Sequence, residues 1–233
     1  MKLKNIAIMF TALFLLLSTT TLANNFGDSS MQEVITNNLI EKEGFENSDT
    51  VTRFECVNAI IKAIGATEET ALSAAMLLYG CLTGPKENAF LDGDDIVPFD
   101  YAKYADKEMG YIKLAFYNEL AKGEIIQNRR YFYFDRPVTL KETSAFMMRC
   151  LKGPDLNDLD ETFAMAKEYG LIKEDDIFYN NGDSSITLDY FCTMLWRFLN
   201  QNRYLYFNAE NFGTGLGKDE DRSMTYLEYL QPR

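Results

Sequence analysis

The 233-residue chain contains no histidine, and that absence excludes more than any other feature of its composition. Without imidazole there is no Ser-His-Asp or Cys-His nucleophile system and no histidine metal site. Positive charge is also scarce: 23 Lys and Arg stand against 35 Asp and Glu, a net charge of -12. So acidic a molecule has no global field to hold nucleic acid or an anionic membrane surface, and neither is expected as a partner. Missing too are any Cys-x-x-Cys pair, Ser-x-x-Lys, Gly-x-Ser-x-Gly and a phosphate-cradling glycine loop. An enzyme would have to work with carboxylates, Lys or Tyr alone, so no catalytic residue, cofactor or metal ligand is expected.

What is present is enough apolar material for a sizeable core, 47% of residues with 14% aromatic, in a length that suits one or two domains. The chain opens with two positive charges, Lys2 and Lys4, and an apolar run from Ile6 to Leu17 broken only by Thr11. Thr21-Leu22-Ala23 then supplies small residues where a signal peptidase reads, so residues 1–23 read as a secretory signal peptide cleaved after Ala23. The run is short for a bilayer span of roughly 20 residues, and no membrane span is expected after cleavage. Loss of Lys2 and Lys4 leaves 21 Lys and Arg against 35 Asp and Glu, or -14. The expectation is an exported, acidic protein.

Export permits disulfides, and the four cysteines Cys56, Cys81, Cys150 and Cys192 allow three pairings. Three of them lie on predicted helices among apolar neighbours, where a reduced Cys acts as a small hydrophobe. Buried thiols are the first reading and disulfides the second.

The middle of the chain repeats itself. Ser30-Met31-Gln32-Glu33, followed by Val34, Ile35, Leu39 and Ile40 and a stop at Gly44, predicts a capped helix. Thr52-Arg53-Phe54-Glu55 is a second Thr-x-x-Glu capping box, with Phe54, Val57, Ile60, Ile61 and Ile64 inward and a stop at Gly65. The pattern returns as a helix over 100–122 stopped at Gly123, an aromatic loop Tyr131-Phe132-Tyr133-Phe134, and a helix opened by the box Thr139/Glu142. It returns again as a helix capped by Asp160 or a neighbour and ended at Gly170, then a helix from Thr187, where Tyr190 stands at the Glu position. Gly123 to Thr139 is 16 residues and Gly170 to Thr187 is 17, so the copies are in register. An extra helix over 68–80, capped by Thr67, separates the first two. A pair of helices cannot bury its apolar faces alone, so the copies should pack on one another.

Val51-Thr52-Arg53-Phe54-Glu55, Val138-Thr139-Leu140-Lys141-Glu142 and Ile186-Thr187-Leu188-Asp189-Tyr190, each preceded by glycine and an aromatic turn, with Phe90-x-Asp92 before the second copy, resemble the S-layer homology (SLH) domain. The resemblance covers roughly residues 30–200. It implies an all-α fold of three helical-hairpin repeats, about 30–66, 90–152 and 155–200, packed as a pseudo-threefold prism. It also implies a non-catalytic module that holds exported proteins on the bacterial cell wall by binding secondary cell-wall polysaccharide. The ligand-binding residues it implies are Arg53, Glu55, Lys141 and Glu142, of which Arg53 alone reproduces the motif arginine. A guanidinium at a helix N-terminus suits an anionic sugar, because its planar fork matches a carboxylate. Leu140 and Leu188 replace that arginine in the other copies. Their loss supports the alternative, a protein-protein interaction module at the envelope on a degenerate SLH scaffold without glycan binding.

Other features read as structural. Asp92-Gly93-Asp94-Asp95 and residues 155–161 lack the alternating ligands of a calcium loop and suit turns and caps. Arg129, Arg130, Arg136 and Lys141 read first as solvated loop residues and second as a local positive patch that would offset the net negative charge toward an acidic polymer. The runs Tyr131–Phe134 and Tyr204–Phe207 alternate as short strands do and should cover the ends of the core. Gly213-x-Gly215-x-Gly217 reads as flexible, and residues 201–233 as an extended tail or a partner-binding segment through Tyr226–Leu230.

Overall fold

The computed structural model describes residues 39–40, 49–77, 90–91, 106–126, 129–208 and 215–231. The expected signal peptide, the helix from Ser30 apart from Leu39 and Ile40, Cys81, and Asp92 to Asp95 lie outside them. About half of the described residues are helical. Its helices are α1 (Arg53–Ala63), α2 (Glu68–Leu77), α3 (Asp106–Tyr117), α4 (Leu140–Lys152), α5 (Leu159–Glu168), α6 (Leu188–Leu199) and α7 (Tyr226–Leu230). All-α is nevertheless too strict. Strands β1 (Phe90–Leu91), β2 (Glu124–Ile126) and β3 (Arg129–Tyr131) form a sheet in the order β1-β3-β2, and β4 (Leu205–Tyr206) pairs with β5 (Gly217–Lys218). The strands only touch the alternating aromatic runs: β3 ends at Tyr131 and β4 holds Leu205 and Tyr206, while Phe132, Phe134 and Phe207 are buried outside strands.

The three capped segments meet in a closed ring of backbone hydrogen bonds. Val51 N–H donates to Ile186 O at 3.2 Å, Ile186 N–H to Val138 O at 3.2 Å, and Val138 N–H to Val51 O at 2.8 Å. One residue into each helix the ring is doubled: Arg53 N–H donates to Arg136 O, Leu140 N–H to Ser184 O and Leu188 N–H to Asp49 O, at 2.8 to 3.0 Å. Val51, Val138 and Ile186 are buried together at its centre. The N-cap residues Thr52, Thr139 and Thr187 share one extended backbone conformation, with ψ between 160° and 162°. Thr52 and Thr139 make the full capping boxes with Glu55 and Glu142 that their spacing predicts. Thr187 makes no side-chain cap. Instead the Asp189 carboxylate accepts from the Tyr190 N–H and the Thr187 hydroxyl.

One stop differs from expectation. α3 ends at Tyr117 rather than near Gly123, because Asn118 bonds back to Leu114 O through both its backbone and side-chain N–H groups and Glu119 takes a left-handed φ of 58°. α5 is capped by Asp158, whose carboxylate accepts from the N–H groups of Asp160 and Glu161. The inserted helix α2 lies where it was expected. Thr67 caps it by accepting from Thr70 N–H at 3.1 Å.

The C-terminal segment is a correction of substance, being neither extended nor free along residues 215–231. β5 pairs with β4, and Thr225 and Glu228 form a further capping box for α7. Tyr226 is fully buried, its hydroxyl within 3.1 Å of Cys150 O and 2.9 Å of Leu205 O, while Arg222 donates to Leu151 O. The Arg203 guanidinium lies against both the Tyr206 and Tyr229 rings, 4.1 and 4.4 Å from their centroids, and donates to Asp219. Tyr229 lies so close to Gly65, whose φ is 98°, that a Cβ there would come within 2.4 Å of its ring. The apolar and aromatic content that marked the tail as a docking segment is spent on this chain's own core.

α2 and α3 pack at their closest through Gly110, where an added Cβ would stand 1.9 Å from Ala71 O. Backbone cannot yield as a flexible side chain does, so Gly110→Ala must push the two helices apart. The expected cost is about 1–3 kcal/mol in urea-induced unfolding. A variant as stable as the natural protein would show that the α2–α3 packing is not this tight.

Candidate functional site

The ring positions the residues the sequence singled out. Arg53 is the first residue of α1, and it is only 4% exposed. Leu140 and Leu188 occupy the same place in α4 and α6 and are equally buried. The site therefore faces the core, and the motif arginine enters it as a buried cation. Its guanidinium lies over the Phe132 ring, 4.5 Å from the centroid.

Arg53 and Glu142, from different copies of the pattern, come together. Nη1 of Arg53 is 3.4 Å from Oε1 of Glu142 and 3.8 Å from Oε1 of Glu124, the latter carried in on β2. Arg136 closes the cluster: its Nη2 is 2.5 Å from Glu142 Oε1, its Nη1 is 3.0 Å from Glu124 Oε1, and its guanidinium stacks over Tyr133 at 5.1 Å. The other Glu142 oxygen accepts from Thr139 N–H at 3.0 Å, so this carboxylate is held by the helix cap as well as by two arginines. Burial lowers the Arg53 pKa, Glu142 opposes that, and Arg136 adds to it; an arginine stays charged at any physiological pH all the same.

Satisfaction within the cluster is uneven. Nε and Nη1 of Arg53 are buried without a hydrogen-bond partner, since the carboxylates beside them stand beyond good hydrogen-bond length. Exposure grades outward, from Glu142 at 12% through Arg136 at 40% to Glu124 at 46%.

The remaining expected site residues lie elsewhere. Glu55 serves the cap of α1, accepting from Thr52 N–H at 2.9 Å. Lys141 turns away to Asp160 and Asp183, 2.7 and 3.1 Å from its Nζ, and these two carboxylates raise its pKa. Arg136, read as a solvated loop residue, belongs to the cluster. Glu124 had no signal in the sequence, because its approach depends on the β2–β3 pairing.

A second ion pair engages Tyr190, the residue at the Glu position of the third copy. Asp176 accepts a bidentate pair from Arg197 at 2.5 and 2.9 Å, the Tyr190 hydroxyl at 2.9 Å and Lys173 N–H at 2.7 Å. Burial alone would raise the Asp176 pKa, but these donors outweigh it and hold the carboxyl below its ordinary value. Tyr190 at the Glu position thus serves a neighbouring loop instead of its own helix.

Nothing else among the described residues offers chemistry. Cys56, Cys150 and Cys192 are free and buried. Burial pushes all three thiols up, Cys150 and Cys192 to about 12, so none is a nucleophile at neutral pH. Arg149 is buried with its donors on the carbonyls of Leu156 and Leu120. No group of three or more Cys, Asp or Glu among the described residues is placed to hold a metal ion. A void of about 10 Å³ between α1, α3 and α4 is lined by Val57, Ile60, Ile61, Ala115 and Phe146, so it holds at most about one water and has no polar group to bind one. No helix among the described residues is long and apolar enough to cross a membrane. No family model matches the chain, and neither a curated protein nor a solved structure matches it.

Two predictions follow from these ion pairs. Glu142→Gln leaves Arg53 buried without its nearest countercharge and is expected to cost about 3 kcal/mol of stability. Adding Arg53→Met, which fills the same volume without a charge, should recover much of that loss; a double variant with the two costs simply summed would mean that the residues are uncoupled. The second concerns pH. A carboxyl whose folded pKa lies below its unfolded one, as at Asp176, stabilises fully above the unfolded pKa of about 4, and loses that contribution as pH falls through the folded pKa. Urea unfolding from pH 6 down to pH 2 should therefore show a flatter decline in Asp176→Asn than in the natural protein. An unchanged slope would remove Asp176 as a source of acid sensitivity.

Proposed function

We propose that this chain is a non-catalytic binding module of the bacterial cell envelope, built as three SLH-like units around a pseudo-threefold axis, that attaches to an acidic wall polysaccharide. The observation that carries the reading is the closed hydrogen-bond ring with its three equivalent helix starts. Three helix starts tied head to tail create three similar junctions, and the resembled family takes its polysaccharide between adjacent repeats. At the junction of the first and second units stand Arg136, with the Tyr133 ring beside it, and beneath them the buried Arg53, a set that suits a sugar ring bearing a carboxylate. The signal sequence read at residues 1–23 agrees with a place outside the cell, and no step in this role calls for a catalytic group.

The other reading, a protein-binding module on the same scaffold without glycan affinity, has its own support. Leu140 and Leu188 stand where the other junctions would need arginine, and Lys141 is engaged by two aspartates. Ile177, 85% exposed on the loop between α5 and α6, adds an apolar contact point.

Sedimentation of residues 24–233 with purified peptidoglycan sacculi, before and after acid extraction of their attached polysaccharide, separates the two. The glycan reading expects retention that is lost on extraction. It also expects retention to fall in Arg136→Ala, with thermal unfolding measured alongside because the half-buried Arg136 also pairs with Glu142. Absence of retention on either preparation, together with capture of an envelope protein by cross-linking, would replace it with the protein-binding reading.

A further inference from the structure

Resting on the glycan reading, we propose that Glu124 is a built-in occupant of the anion seat, a carboxylate of this chain standing where the sugar carboxylate binds and displaced by it. The four charges of the junction sum to zero, but they are not held alike. Glu142 is fixed by the cap of α4 and is nearly buried. Glu124 projects from the short edge strand β2, is 46% exposed, and reaches the arginines from the solvent side. Its Oε1 is 3.0 Å from Arg136 Nη1 and 3.8 Å from Arg53 Nη1. One oxygen atom therefore spans two guanidinium groups and satisfies only the outer one.

The inner guanidinium records the deficit. Arg53 is 96% removed from solvent by its exposure of 4%, yet two of its three nitrogens lack a hydrogen-bond partner. A buried cation in that state is short of acceptor atoms. A free carboxylate, not tethered to a strand, can place one oxygen on Arg136 and the other toward Arg53, as the side chain of Glu124 does not. With Glu124 swung out to solvent, the junction carries Arg53 and Arg136 against Glu142 alone, a single positive charge matched to one carboxylate. The occupant that Glu124 imitates defines the ligand class: a monovalent carboxylate on a sugar ring, with Tyr133 beside Arg136 as a stacking face. Occupation by Glu124 lowers affinity by the fraction of time the seat is open, and it discriminates against neutral sugars, which cannot compensate Arg136 once Glu124 has left.

The test uses residues 24–233 and D-glucuronate as probe, with glucose as the uncharged control, titrated by NMR on the side-chain N–H signals of Arg53 and Arg136. Glu124→Gln, and Glu124→Ala as a variant that cannot re-form the contact, should bind glucuronate about tenfold more tightly than the natural protein. Glucose should gain nothing, and Arg136→Ala in the Glu124→Ala background should abolish the gain. Thermal unfolding of each variant checks that the fold persists. Equal or weaker glucuronate binding in both Glu124 variants, with the natural protein still retained by polysaccharide-bearing sacculi, overturns the role of Glu124 and leaves the envelope module standing. A gain shared by glucose overturns it as well. Failure of every variant to bind glucuronate, with no retention on sacculi, brings down both readings.

Discussion

The ring of hydrogen bonds joining Val51, Val138 and Ile186 is the constraint from which the rest of the molecule follows. Each of these residues lies in a segment too short to form a sheet of its own, and each is drawn inward by an apolar side chain. Burial would strand the N–H and C=O groups, a cost of about 1–3 kcal/mol for each group left unpaired. Every segment solves the problem with both of the others, donating to one and accepting from the next. The solution needs all three at once, so no two of the capped helices can be placed without the third.

Once the ring closes, the entry of each helix is settled. The threonine caps share one conformation, and the residue that follows each cap must point where Leu140 and Leu188 point, into the core. At Arg53 the same geometry buries a guanidinium. Its charge then has to be answered from the neighbouring helix start, and the answer is Glu142, whose second oxygen is already committed to the cap of α4. Cap, ion pair and junction are thus one interaction seen from three sides. That coupling explains why a residue of the resemblance motif contributes to packing as much as to any ligand.

Features that depend on neighbours in the chain were legible in the sequence. The Thr-x-x-Glu boxes at Thr52 and Thr139, the cap of α2 at Thr67 and the burial of Phe132 and Phe134 follow from short spacings and apolar alternation. Features that depend on distant pairing were not. Glu124 reaches the arginines only because β2 lies against β3, and Lys141 is drawn off by Asp160 and Asp183, residues far along the chain. The C-terminal segment is a different case. Thr225 and Glu228 repeat the very spacing that marked the other helices, but glycine and acidic residues before them masked it, and the buried place of Tyr226 comes from Cys150 and Leu205. Gly123 misled for a local reason, since Asn118 and Glu119 turn the chain first.

The net charge of -12 sets a condition on any acidic ligand. Long-range attraction is absent, so recognition has to come from contacts shorter than a Debye length of roughly 8–10 Å, where a pair of arginines outweighs the distant acids. On the proposed reading, a buried guanidinium beneath a half-exposed one provides this, because the inner charge is poorly screened and the outer one is reachable. It also carries a hazard: without Glu124 the junction would hold one positive charge in excess, open to any anion that reaches Arg136. In the role proposed for Glu124, a tethered carboxylate at the entrance removes that promiscuity, at the expense of affinity, and leaves the seat to ligands that bring both a carboxylate and a ring to lie against Tyr133. On the proposed glycan reading, an acidic protein that binds an acidic polymer selectively is better served by a guarded positive site than by a free one.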